Sequence, residues 1–232
     1  MLARETKKSS SSSAPDIDSL RRVPIFSRLS TAELESLRQK LRVRDIRKNG
    51  LFMRADTEGS EMFFIASGRI RVYRSGERGK EFTLAFLDPG DFFGEIALLT
   101  GAPRTANVLA VSRATVWELS RESFIEHTKR FSGLTLFLAQ SLANRLRLAS
   151  GNLADIALLD VPHRIVRTLQ KMAHPHPSSG KLFISKRPTH REIAEMIGTS
   201  REVVSRCLKT FEQRGIVREE GRSLFVSPEK LE

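Results

Sequence analysis

The sequence has little cysteine, little aromatic character outside phenylalanine, and no long apolar run. Cys207 is the single cysteine, which excludes an internal disulfide, a cysteine-rich zinc site and a four-cysteine iron–sulfur cluster in one chain. No run approaches the roughly 20 apolar residues that a membrane-spanning helix needs. The opening residues, MLARETKKSSSSSAPD, lack the apolar core of a secretory signal. We therefore expect a cytoplasmic protein with no membrane partner.

Acidic residues are outnumbered: 39 Lys and Arg stand against 27 Asp and Glu, a net charge of +12. Such an excess favours a polyanionic partner. From Asp160 to the end there are 14 basic and 9 acidic residues, or +5, which leaves +7 for the rest. The charge alone therefore does not say which half would contact nucleic acid. The length of 232 residues allows two domains with buried cores.

The first two predicted segments differ in apolar content. Residues 1–18 are rich in serine and predict a disordered tail, because they cannot bury enough apolar surface to offset the entropy of ordering. Residues 19–130 contain short apolar runs separated by Gly-rich and Asn-Gly turns. Alternation at period two, as in Ile70 and Val72, predicts half-buried strands. Short strands at this spacing indicate an antiparallel sandwich or barrel.

Residues 131–159 predict one long helix. Its apolar positions are Phe131, Leu134, Leu138, Leu142, Leu146, Ala149, Leu153 and Ile156. This apolar face could pack within the chain, but we favour burial against a second copy in a homodimer. Asp160-Val161-Pro162 then predicts a boundary, because proline ends a helix or begins a new one. Residues 160–232 would form a second small domain.

The C-terminal domain contains a helix-turn-helix pattern. Thr189 and Glu192 have capping-box spacing, and Gly198 permits a tight turn before a second helix that starts at Thr199 or Ser200. On that helix one face is apolar and the other is polar. The polar candidates for DNA contact are Ser200, Arg201, Glu202, Ser205, Arg206 and Lys209.

This polar face has two interpretations. Arginine can donate two hydrogen bonds to guanine and glutamate can accept one from cytosine; alternatively, Glu202 and Arg206 could simply pair on a solvated face. The segment THREIAEMIGTSREVVSRCLKTFEQRGIV resembles the winged helix-turn-helix of the CRP/FNR family of bacterial transcription regulators. The resemblance implies that Arg201 and Arg206 read guanines and Glu202 a cytosine, in a palindrome of TGTGA-like half-sites in double-stranded DNA.

The N-terminal domain carries a second motif. Its candidate residues are Gly94, Glu95, Ile96, Ala97, Arg104 and Thr105. Glycine allows close backbone approach, the carboxylate can accept from a ribose hydroxyl, and the guanidinium offers a planar fork to a phosphate. Alternatively, Glu95 and Arg104 could only pair with each other across a turn. The pattern F-G-E-x-A-L followed by P-R-T-A resembles the phosphate-binding cassette of cyclic-nucleotide-binding domains.

The resemblance extends over nearly everything from residue 19 onward. It implies an α+β fold: an N-terminal antiparallel β-roll of the double-stranded β-helix or jelly-roll type, a long dimerisation helix and a C-terminal winged helix-turn-helix. It implies cAMP as the allosteric ligand and RNA polymerase as a partner. Ala149 and Ser150 stand where cAMP-responsive members have a Thr-Ser pair that contacts adenine, so cGMP or another nucleotide stays open.

Rival functions are few. A constitutive DNA-binding regulator with a vestigial or differently liganded pocket is the main alternative. An enzyme using Glu95 as a base is disfavoured, because the sequence has no Walker lysine, paired-acid cluster or metal-ligand set. We expect no catalysis, no metal and no cofactor other than the nucleotide. A regulatory subunit acting on another protein would not need the base-reading face.

Overall fold

The computed structural model describes residues 10–11, 15–21, 23–27, 29–76, 81–227 and 229. The chain divides into two compact units, Met1–Asn144 and Arg145–Glu232. Most of the predicted tail lies outside the described residues. Within it, Ser10–Ser11 forms a short strand, and a helix begins at Ile17 near its end. No helix in the described part of the chain is long and apolar enough to cross a bilayer.

The first unit consists of antiparallel sheets and short helices, as the period-two pattern predicted. Its strands are β1 Ser10–Ser11, β2 Arg42–Ile46, β3 Leu51–Met53, β4 Met62–Ser67, β5 Ile70–Ser75, β6 Glu81–Leu87, β7 Phe92–Phe93, β8 Asn107–Ala110 and β9 Ala114–Leu119. Its helices are α1 Ile17–Arg21, α2 Thr31–Arg38, α3 Glu95–Thr100 and α4 Arg121–Arg130. One sheet has the order β1-β2-β9-β4-β7 and the other β3-β8-β5-β6.

Two apolar clusters hold this unit together. The inward side chains of both sheets form one cluster, which includes Ile65, Ile70, Phe93, Val108 and Val116. The other cluster packs helices against the outer face of the β2-β9-β4 sheet, and includes Phe26, Leu34, Phe64, Trp117 and Phe124. Alternation along each strand supplies both faces at once. The sheet that carries β4 and β7 is therefore a rigid base for the loops at its edge.

A long helix, α5, spans Gly133–Leu158, close to the predicted 131–159. Its apolar residues do not all share one environment. Leu134 and Leu138 are fully buried in the helix-packed cluster of the first unit. Leu146 and Leu153, in contrast, are each 69% exposed. The first half of the predicted apolar face thus packs within the chain, and the second half does not.

The second unit combines the rest of α5 with a small α/β domain. Its further elements are α6 Val161–Met172, β10 His174–Pro175, β11 Leu182–Ile184, α7 His190–Ile197, α8 Arg201–Gln213, β12 Val217–Glu220 and β13 Ser223–Val226. The strands pair antiparallel in the order β10-β11-β13-β12. Asp160 caps α6 by accepting from the backbone N–H of His163.

The two compact units divide inside α5, between Asn144 and Arg145. A cause is visible in the second half of that helix. The Asp155 carboxylate accepts from Lys171 Nζ at 2.6 Å and lies 3.8 Å from Arg167 Nε. Lys171 also donates to Asn152 at 2.8 Å. These contacts tie the end of α5 to α6 within the second unit.

Candidate functional sites

Gly94 shapes the start of the first candidate site. It precedes α3 with φ +84° and ψ 0°, in the left-handed region that glycine adopts without strain. A Cβ at this position would lie 2.8 Å from the Glu61 carbonyl oxygen and 2.9 Å from Arg104 Nη1. The position therefore requires glycine for two independent reasons, and the backbone there lies directly against the arginine.

Glu95, Ile96 and Ala97 form the first turn of α3. The Glu95 side chain is buried, with 6% exposure, although it is charged. Ala97 is buried against the core, whereas Ile96 is 42% exposed. Gly101 ends the helix in the left-handed region, with φ +72°. The short helix thus holds one carboxylate inside the protein next to the glycine turn.

Arg104 is the most deeply buried arginine among the described residues, with 4% exposure. Its Nη1 donates to the backbone oxygens of Glu61 and Gly94, at 2.6 and 3.1 Å. Its Nη2 donates to Glu61 Oε2 at 2.8 Å. Burial lowers the pKa of the Arg104 guanidinium, and the Glu61 carboxylate opposes that change. The group stays cationic, because arginine is not deprotonated in proteins.

Glu61 is not among the predicted site residues. An ion pair between Glu95 and Arg104 was the alternative interpretation of this motif, whereas in the structure Arg104 Nη2 forms an ion pair with Glu61. Glu61 precedes β4, and β4 pairs antiparallel with β7 through Phe63 and Phe93. This pairing brings residue 61 beside Gly94, although 43 residues separate Glu61 from Arg104 in sequence. No local sequence pattern predicts this contact between Glu61 and Arg104.

The remaining predicted ligand residues lie in different surroundings. Thr105 is exposed, and its backbone oxygen accepts from Arg74 Nη1 at 3.1 Å. Ala149 and Ser150 are exposed on α5 within the second unit. The structure therefore brings Gly94 and Arg104 into contact, beside Glu95. Thr105 adjoins this cassette, and the two α5 residues belong to the other compact unit.

The second candidate site is the pair α7 and α8. Thr189 and Glu192 form the predicted capping box of α7, and Gly198 ends that helix with φ +72°. Ser200, rather than Thr199, caps α8 by accepting from the Val203 N–H at 3.3 Å. Each of these interactions spans four residues or fewer, so the local sequence determines them.

The helix α8 has one buried and one exposed face, as predicted. Val204 and Phe211 are buried, with 0% and 3% exposure, in the core of the second unit. The exposed set is Ser200, Arg201, Glu202, Ser205, Arg206 and Lys209. Five of the six predicted DNA-contacting residues thus share one exposed side of a capped helix, and the sixth, Ser200, is its N-cap.

The alternative interpretation of this face was an ion pair between Glu202 and Arg206. Among the residues that the structure describes, these two side chains do not form an ion pair. The backbone N–H of Glu202, the Ser200 hydroxyl and the Arg201 charge lower the pKa of the Glu202 carboxyl, in that order of size. The carboxylate is therefore ionised at neutral pH. An ionised, exposed carboxylate between two exposed arginines can accept a hydrogen bond while they donate.

Comparison with known proteins finds two family models in the chain. Residues 43–130 match the family model of the cyclic nucleotide-binding domain, and residues 163–232 match that of the Crp-like helix-turn-helix domain. The chain is 36% identical over 160 residues to the cyclic AMP receptor protein of Thermus thermophilus, covering 69% of this chain and 72% of that protein.

Two further relatives cover more of the chain. A CRP-like cAMP-activated global transcriptional regulator of Mycobacterium tuberculosis is 29% identical over 210 residues, which are 90% of this chain and 94% of the relative. The structure of a CooA mutant from Carboxydothermus hydrogenoformans superposes with a TM-score of 0.73, at 25% identity, covering 88% of this chain and 89% of the other.

A cyclic nucleotide-binding domain followed by a helix-turn-helix domain defines a transcriptional regulator rather than an enzyme. The particular group follows from the relatives, and the chain belongs to the CRP/FNR family. The predicted α+β architecture, with an antiparallel β domain and a C-terminal helix-turn-helix, is confirmed.

Proposed function

We propose that this chain is a homodimeric regulator whose affinity for a TGTGA-like palindrome in double-stranded DNA depends on a cyclic nucleotide. The nucleotide we propose is cAMP. Binding at the cassette would favour one arrangement of the dimer, in which two α8 helices lie about one DNA turn apart. In that role RNA polymerase is the partner through which bound protein affects transcription.

The observation that carries this proposal is the buried guanidinium of Arg104 against the Gly94 turn, with the buried carboxylate of Glu95 one residue further along. A cyclic nucleotide offers one anionic phosphodiester and one ribose hydroxyl. The arginine can donate to the phosphodiester and the carboxylate can accept from the hydroxyl.

The exposed half of α5 supports the homodimer. Leu146, Ala149, Leu153 and Ile156 follow the alternating three- and four-residue spacing of a coiled-coil interface. Leu146, Leu153 and Ile156 are 69%, 69% and 45% exposed in the single chain. Burying such apolar surface against a second copy gains about 25 cal/mol per Å². Ala149 lies on this interface, so a nucleotide that reaches Ala149 or Ser150 would also contact the dimer seam.

The choice of cAMP rests on relatives. The Mycobacterium tuberculosis regulator is described as cAMP-activated, and so is Vfr of Pseudomonas aeruginosa, which is 34% identical over 174 residues. Ser150 can donate or accept a hydrogen bond, whereas Ala149 can do neither. Since a single hydroxyl does not choose between adenine and guanine, cGMP is the ligand to compare.

The test is fluorescence anisotropy of a labelled TGTGA palindrome at one stated salt concentration, because counterion release controls protein–DNA affinity. Titrations with cAMP, with cGMP and without nucleotide give three affinities, and a scrambled duplex gives the non-specific level. We expect cAMP to increase affinity for the palindrome only. Equal affinity with and without every nucleotide would instead select a constitutive DNA-binding regulator with a vestigial pocket.

A matched variant separates the two sites. Arg104→Leu should remove the response to cAMP and leave the nucleotide-free DNA affinity unchanged, since residue 104 lies in the first unit and α8 in the second. Retention of full nucleotide affinity by Arg104→Leu would refute the assignment of the cassette.

A further inference from the structure

Arg104 has already committed most of its hydrogen-bonding capacity inside the protein. A guanidinium carries five N–H donors. Both Nη1 donors are directed at backbone oxygens, those of Glu61 and Gly94, and one Nη2 donor is directed at the Glu61 carboxylate. Two donors are left, the second on Nη2 and the one on Nε.

The edge that carries those two donors is closed by backbone. A Cβ built on Gly59 would lie 2.4 Å from Arg104 Nε and 2.5 Å from its Nη2. The Gly59 main chain therefore lies against the Nε–Nη2 edge, which arginine commonly uses to grip an anion with two parallel hydrogen bonds. With 4% of Arg104 exposed, little of the guanidinium is open to a second anion.

The Glu61 carboxylate takes up an Arg104 donor that a phosphate oxygen would otherwise be able to use. Its Oε2 lies 2.8 Å from Nη2, within the range of a charge-assisted hydrogen bond. It also accepts from the backbone N–H of Ser60 at 3.2 Å. One carboxylate thus replaces, within the chain, the anion that the cassette would otherwise hold.

We propose that Glu61 is an internal competitor for Arg104, which must release the guanidinium before the phosphodiester of a cyclic nucleotide can bind. This inference rests on the proposed function and concerns the control of that same site. In the nucleotide-free protein the form with the Glu61–Arg104 ion pair dominates. The apparent affinity for the nucleotide therefore equals the intrinsic affinity multiplied by the small fraction of protein in which Arg104 is released.

A cavity beside Glu61 could accommodate its carboxylate after it leaves Arg104. The Glu61 side chain is 36% exposed and borders a polar cavity of about 430 Å³. Lys40 and Arg42 line that cavity, together with Glu118 and Glu122. Glu118 is already paired with Arg44 at 2.8 Å and Lys40 with Glu126 at 2.5 Å, so Arg42 is the cavity cation that would receive a further carboxylate. Rotation of one side chain would move Glu61 from Arg104 toward Arg42.

The decisive variant is Glu61→Gln, because it removes the charge and keeps an amide oxygen that can accept from Nη2. The matched control is Glu58→Gln, which removes the same charge from an exposed position in the same loop. Isothermal titration of the full-length protein with cAMP gives the affinities. We expect Glu61→Gln to bind cAMP roughly 10-fold more tightly than the wild type, about the factor that a hydrogen bond to a charged group contributes. Glu58→Gln should bind as the wild type does.

Each outcome decides a separate question. If the wild type binds cAMP and Glu61→Gln binds it equally or more weakly, the competitor role is overturned and the proposed function still stands. Binding by Glu61→Gln but not by the wild type would support the competitor role most strongly. Absence of binding in both would overturn the proposed function along with it. In the Arg104→Leu background, Glu61→Gln should give no gain, since the gain acts through Arg104.

A second measurement needs no variant. In a crystal structure of the wild-type protein with cAMP bound, Glu61 Oε2 should lie beyond hydrogen-bond distance of Arg104 Nη2. The phosphodiester should hold that donor instead. A complex in which the Glu61–Arg104 ion pair keeps its 2.8 Å contact would contradict the proposal.

Discussion

Gly94 and Gly101 flank the same short helix, and comparing their alanine variants isolates the role of the cassette glycine. Both residues lie in the left-handed region, with φ +84° and +72°. Adding a Cβ there costs roughly 1 to 2 kcal/mol of backbone strain at either position. Their surroundings differ, however, and the difference predicts unequal effects on folding and on binding.

At Gly94 the added Cβ would meet the Glu61 carbonyl oxygen at 2.8 Å and Arg104 Nη1 at 2.9 Å. The carbonyl belongs to the backbone and cannot rotate away, so overpacking adds about 1 to 3 kcal/mol. At Gly101 the Cβ would meet the tip of Arg121 at 3.0 Å, which is a flexible side chain. We therefore expect Gly94→Ala to lower the free energy of unfolding by roughly 2 to 5 kcal/mol, and Gly101→Ala by roughly 1 to 2 kcal/mol.

Urea denaturation followed by tryptophan fluorescence measures this difference, because the single tryptophan, Trp117, is buried in the core of the first unit. The same preparations are titrated with cAMP under folding conditions. Gly94→Ala should lose nucleotide affinity and Gly101→Ala should keep it. Equal losses of stability would refute the steric argument, and unchanged nucleotide affinity in Gly94→Ala would remove this glycine from the site.

Three further predictions concern other parts of the chain. Arg201→Ala should reduce affinity for the palindrome by about 1 to 3 kcal/mol and relax the preference at one base pair, measured by anisotropy on single-substituted duplexes; an equal loss on every duplex would reassign the residue to phosphate contact. Leu153→Glu should shift sedimentation toward the monomer, whereas Leu158→Glu, which is 81% exposed and off the coiled-coil spacing, should not; identical behaviour of the two would exclude this interface. Burial lowers the pKa of His127, whose ring nitrogens have no hydrogen-bond partner among the described residues. The unfolded chain then binds more protons than the folded one below the ordinary histidine pKa of about 6.5, so the free energy of unfolding should fall as the pH drops below that value. His127→Phe should flatten that pH dependence in urea denaturation, and an unchanged slope would assign it to other groups.

Features that depend on neighbours in sequence were predictable. Thr189 and Glu192 form their capping box because the two groups are three residues apart, and Gly198 and Ser200 delimit the next helix for the same reason. The exposed face of α8 follows from helical periodicity once its start is known. The predicted helix-turn-helix motif therefore rested on interactions that a short window contains.

Features that depend on distant residues were not predictable. The partner of Arg104 is Glu61, which reaches it only through the pairing of β4 with β7. The leucines of α5 look alike in sequence, yet Leu138 is buried and Leu146 is 69% exposed. Which of them meet a core depends on where the first unit ends, and tertiary packing alone decides that.

Reciprocal binding tests the central claim most directly. If the nucleotide and the operator favour the same state, each must increase the affinity for the other by the same factor. The measurement is the cAMP affinity of the full-length protein with and without saturating palindromic DNA, at the salt concentration of the anisotropy titrations. We expect DNA to tighten cAMP binding by roughly 5-fold or more, matching the effect of cAMP on DNA binding. Identical cAMP affinities with and without DNA would contradict this coupling.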